Sequence, residues 1–95
     1  MNKEELFTFI VGKDERGESI RINFYVNENR EVSSINFAGI IFDENEIKKL
    51  NVEKMDVELY NELKKSKSKT LDITDDFCNK TPEEIIEIIK KEMNK

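Results

Sequence analysis

Histidine and tryptophan are absent from the chain, which holds one cysteine, one proline and three glycines. Without histidine it lacks the one side chain whose unperturbed pKa falls in the physiological window. Ser-His-Asp and Cys-His nucleophilic sites are thereby excluded, as is any zinc or haem held by imidazole. The lone Cys78 closes no disulfide within the chain and supplies no cysteine-only zinc site. That pattern points to a reducing compartment. Long apolar runs are missing too. The opening MNKEELFTFIVGK holds a run of only six residues, Leu6 to Val11, preceded by two glutamates, and no stretch nears the roughly 18 residues that span a bilayer. A soluble cytosolic protein without a membrane segment is expected.

What is present is charge. Charged residues make up 39% of the 95 and hydrophobic residues 37%, against typical values of about 25% and 45–50%. Such a chain forms a single domain, residues 1–95, around a thin core. The net charge is −5, with both signs mixed along the length. Lysines outnumber arginines thirteen to three, and no basic stripe of the kind that tracks phosphates is visible.

Up to about residue 42 the pattern alternates with period two. Phe7, Phe9 and Val11 fall on one face of a first strand, with Leu6, Thr8 and Ile10 on the other. Ile20, Ile22, Phe24 and Val26 alternate with Arg21, Asn23 and Tyr25 in a second. Asp14-Glu15-Arg16-Gly17 reads as a turn closed by a glycine at positive φ, so the two strands form a hairpin. Asn27-Glu28-Asn29-Arg30 reads as a second turn, with an asparagine in the left-handed conformation. A third strand is predicted from Val32 to Ile41, placing Ile35, Phe37 and Ile41 inward and Val32, Ser34, Asn36, Ala38 and Ile40 outward, with a bulge or close approach at Gly39.

The second half of the chain carries helical signals. Asp43 with Glu46 is a capping-box pattern, and Phe42 is placed to staple onto Ile47. Asp56 caps a second helix to about Lys65, with Met55 and Tyr60 as its staple and Leu59, Tyr60 and Leu63 on one side. Lys64 to Lys69 reads as an exposed loop, and Leu71 to Thr74 as a short edge strand or an extended connection. Thr81, Pro82 and Glu84 open a last helix whose Ile85, Ile86, Ile88, Ile89 and Met93 share one arc. The fold class is therefore α+β: an antiparallel meander of three or four strands, covered by two or three helices from the C-terminal half.

Few residues suggest chemistry. Asp72, Asp75 and Asp76 lack the glycine and distal glutamate of a calcium loop, Cys78 has no base to activate it, and Gly12 and Gly17 flank a turn rather than a helix start. No enzymatic role, metal or cofactor is expected. Tyr25 is more informative, because it stands beside Arg21 and Asn23 where the alternation predicts solvent. Aromatic and arginine side chains are enriched at interface hot spots. An open outer face would be a partner-binding surface or a homodimer interface. The leading expectation is a non-enzymatic module that binds and modulates or inhibits another protein, as phage and mobile-element inhibitors of similar size and charge do. Its surface would comprise Arg21, Asn23 and Tyr25, extended by Asp43, Glu44 and Glu46 toward a basic target such as a nucleic-acid-handling protein. The alternative is a nucleic-acid-binding regulator using Lys64, Lys65, Lys67 and Lys69.

Overall fold

The computed structural model of the chain describes residues 3–13, 16–71 and 80–93. Its strands are β1 (Glu4–Lys13), β2 (Ser19–Asn27), β3 (Val32–Phe37), β4 (Ile40–Phe42) and β5 (Ser68–Thr70), and its helices α1 (Glu44–Lys49), α2 (Val57–Ser66) and α3 (Pro82–Met93). One sheet runs β4-β3-β2-β1-β5. Its first four strands form an antiparallel meander, and β5 joins β1 in parallel. The α+β architecture read from the pattern is the one observed.

The inward residues of β1 and β2 follow the period-two pattern directly. Phe7, Phe9, Val11, Ile22, Phe24 and Val26 are fully buried, and Phe9 meets Phe24 edge-on at 5.0 Å between ring centres. Burial of this apolar area is the main stabilising contribution. Asp43 accepts from the Glu46 amide at 3.0 Å, capping α1, while Phe42 and Ile47 on either side of it are both buried. Asn51, at φ 57, ends the α1 segment and separates it from α2. Asp56 caps α2 by accepting from Glu58 and Leu59, with Met55, Leu59, Tyr60 and Leu63 all in the core. The Thr81 hydroxyl accepts from the Glu84 amide at 3.2 Å, and Ile85, Ile86 and Ile89 of α3 join the same apolar cluster. All three helices therefore contribute to one face of the sheet.

Several expectations are corrected. Residues 32–41 are not one strand: Ala38 (φ 50) and Gly39 (φ 88) form a two-residue reversal, so β3 and β4 make a hairpin. Positive φ at both central positions is the type I′ signature, whose twist matches that of the strands it joins. The reversal puts Ile41 opposite Asn36 on the outer side and Ile40 opposite Phe37 on the inner side, the reverse of the expected assignment. Val32 is buried rather than outward, because the register slips between Tyr25–Ser34 and Val26–Val32. Ser33 is the extra residue of that bulge, and its hydroxyl donates to Glu4 and to the Tyr25 carbonyl.

In the second turn the left-handed residue is Arg30 (φ 65), not an asparagine. The Asn27 side chain instead accepts from the amides of Asn29 and Glu31, and the Arg30 guanidinium donates to the Met55 carbonyl at 2.9 Å. The lysine tract is not a loop. Lys64 and Lys65 end α2, Lys67 is its left-handed cap (φ 66), and Lys69 lies in β5. Ser68–Thr70 forms the short strand β5, which no sequence pattern marked. Asp14, Glu15, residues 72–74, Asp75, Asp76, Phe77 and Cys78 lie outside the described residues.

Candidate interaction surface

Pairing lines the outward residues up in rows across the sheet. Leu6, Tyr25 and Ser34 form one row. Ser68, Thr8, Asn23, Asn36 and Ile41 form a second across all five strands. Thr70, Ile10 and Arg21 form a third. Within the middle row, the Thr8 hydroxyl donates to Asn23 Oδ1 at 2.9 Å, which orients the amide at the centre of the face. Thr8, Ile10, Asn23, Tyr25, Ser34 and Asn36 are half-buried and Arg21 is exposed. Leu6 and Ile41 are 44% and 65% exposed. Among the described residues no helix packs on this side.

Arg21, Asn23 and Tyr25 are thus brought together on β2. Asp43, Glu44 and Glu46 are not part of that patch. They open α1, beyond the edge strand β4, where the Asp43 carboxylate is occupied as a cap and Glu44 lines a different cleft with Asn27, Glu31, Lys48, Glu53 and Lys54. Leu6, Ile10 and Tyr25 form the apolar part of the face, while Val32 and Ile40 contribute nothing to it. Thr8, Ser34, Asn36 and Ile41 belong to it although no sequence pattern assigned them a binding role. For Ile41 the missing signal was the tight reversal before it.

A separate cleft of about 420 Å³ opens where β2 runs past the β3–β4 reversal, lined by Ile20, Arg21, Phe37, Ala38, Lys80 and Pro82 among others. Neither Arg21 nor Lys80 closes an ion pair among the described residues.

The four lysines of the tract are arranged differently. Glu5 of β1 receives Lys64 at 2.8 Å and Lys67 at 2.9 Å, and Glu62 receives Lys69 at 2.9 Å. The Lys64 hydrogen bond, then that of Lys67, holds the Glu5 carboxyl below its ordinary pKa, and Glu5 raises that of Lys64. Lys64 also lies over the Tyr60 ring and Lys67 over that of Phe7. Three of the four cations are therefore matched by carboxylates and serve to tie α2 and β5 to the sheet. No aromatic side chain projects from the tract to stack on a base.

No helix among the described residues is long and apolar enough to cross a membrane. No protein-family model, curated protein or solved structure matches the chain.

Proposed function

We propose that this protein is a non-enzymatic binding module that modulates or inhibits a partner protein through the outer face of its sheet. The observation that carries this reading is the patch of Tyr25, Leu6 and Ile10 set among Thr8, Asn23 and Arg21, on which no helix among the described residues packs. An aromatic anchor beside an arginine, ringed by short polar side chains, has the composition of an interface hot spot with its polar surround. A flat face of this kind suits a protein surface better than a small substrate, which needs a concave site. The net charge of −5 favours encounter with a basic partner by electrostatic steering.

The test is affinity capture from nuclease-treated lysate with the intact chain, with Tyr25→Ala, and with Lys64, Lys65, Lys67 and Lys69 all replaced by Ser. A stoichiometric protein partner should survive the nuclease and bind the lysine variant. Loss of the Tyr25 side chain should weaken it by roughly 30-fold or more, the size of a hot-spot truncation of about 2 kcal/mol. Partners that vanish on nuclease treatment, or that depend on the lysines and not on Tyr25, would overturn the reading.

A further inference from the structure

We propose that the cleft between β2, the β3–β4 reversal and the start of α3 is a binding site for a small amphiphilic anion, a compact apolar body carrying one carboxylate. The apolar inner face of the sheet is less well sealed at this end. Phe9, Val11, Ile22 and Phe24 are fully buried, yet Ile20 and Phe37, inward in the same register, are only half-buried. Both pack against the core and also line the cleft. Pro82 and the buried Ile85 line it from α3. Its volume of about 420 Å³ is that of a small-molecule site and admits a ring or a short chain.

Charge identifies the head group. The polar residues of the lining are Ser19, Arg21 and Lys80, with no carboxylate among the described residues. Arg21 lines the cleft from β2 and Lys80 from the approach to α3, and neither closes an ion pair among the described residues. The chain holds 21 acidic residues against 16 basic, so an unbalanced pair of cations runs against its composition. Two other clefts show the ordinary mixture of signs. Between β3 and α1, Glu31, Glu44 and Glu53 stand with Lys48 and Lys54. Beside α2, Asp56, Glu58, Glu62 and Glu92 stand with Lys69.

In those two clefts an incoming anion meets carboxylates of the chain itself. In the cleft at Ile20 and Phe37 it meets two cations beside apolar walls. A guanidinium and an ammonium donate charge-assisted hydrogen bonds to a carboxylate, while the hydrocarbon body covers Ile20 and Phe37. A neutral apolar molecule gains only the second of these, and an apolar cation is repelled. Arg21 alone belongs also to the outer-face patch, so the site stands whether or not that patch binds a protein.

Hydrocinnamate, its alcohol and its amine are the probes, and amide chemical shifts of the full chain, followed by NMR, are the readout. Hydrocinnamate should give saturable shifts at Ser19–Arg21, Phe37, Ala38 and Ile85. The alcohol should bind at the same residues at least about tenfold more weakly, because it forfeits the charge-assisted hydrogen bonds. The amine should not bind. Lys80→Gln and Arg21→Gln should each lower affinity for the acid toward that of the alcohol and leave the alcohol's unchanged. Lys48→Gln, in a cleft of mixed sign, should change neither. Added salt should weaken binding of the acid alone. Equal binding of acid and alcohol, acid binding that survives both Arg21→Gln and Lys80→Gln, shifts centred outside the cleft, or no saturable shift in the millimolar range would overturn the proposal.

Discussion

Phe24 and Tyr25 are neighbours in β2, similar in size, and they do opposite things. Phe24 is fully buried, edge-on against Phe9 and roofed by the helices. Tyr25 stands between Leu6 and Ser34 on the side where no described helix packs. The same alternation that seals one face of β1, β2 and β3 therefore furnishes the other with Thr8, Asn23, Arg21 and Asn36. Removing a side chain from the inner face leaves a cavity in close-packed surroundings, whereas the outer face opens to water. The stabilising core and the proposed recognition surface are thus separated by a single step along the strand.

Urea unfolding can break or sharpen that contrast. Phe24→Ala should cost about 3–5 kcal/mol, the usual loss for a buried aromatic truncation in a rigid core, and should leave little folded protein in a chain this small. Asp56→Ala should cost about 1 kcal/mol, since it frees the Glu58 and Leu59 amides at the start of the helix that covers Phe7. Tyr25→Ala should fall at or below about 1 kcal/mol, the size of a cross-strand pair contribution. If it instead matched Phe24→Ala, the outer face would be structural and the proposed binding surface would lose its basis.

The smallest effect is expected at Glu5, on the rim of the inner face, where Lys64 and Lys67 converge. Its folded pKa is depressed below the ordinary 4.5. The contribution is then present above that value and lost as pH falls through the lowered one. Glu5→Gln should flatten this part of the acid limb of the stability curve, and added salt should shrink the difference.

Much of the fold was legible because it rests on local signals. Unbroken alternation marked β1 and β2, and Asp43, Asp56 and Thr81 each preceded a helix whose exposed amides they accept from. The proposed binding residues Arg21, Asn23 and Tyr25 were legible for the same reason, as the polar phase of a strand whose other phase is apolar. Ser33 gave no warning of its bulge, since nothing in Val32-Ser33-Ser34 distinguishes two phases until Tyr25 and Val26 set the register from the neighbouring strand. Ala38 is a poor advertisement for a type I′ turn, because a residue with a Cβ seldom adopts positive φ. Missing that reversal misplaced both Ile40 and Ile41.

The amino-acid order by itself determined which residues alternate, where helices begin, and that nucleophilic and metal chemistry built on histidine is excluded. Those features depend on side chains a few positions apart, within reach of a single turn or strand. Only the tertiary structure decided that Ser68–Thr70 would add to β1 in parallel and that Glu5 would gather lysines 59 and 62 residues away. It also decided that Ile41 would stand exposed on the edge strand β4. Such contacts depend on backbone groups and charges that every residue of their type carries, so their partners are chosen by where the folded chain brings them rather than by what they are.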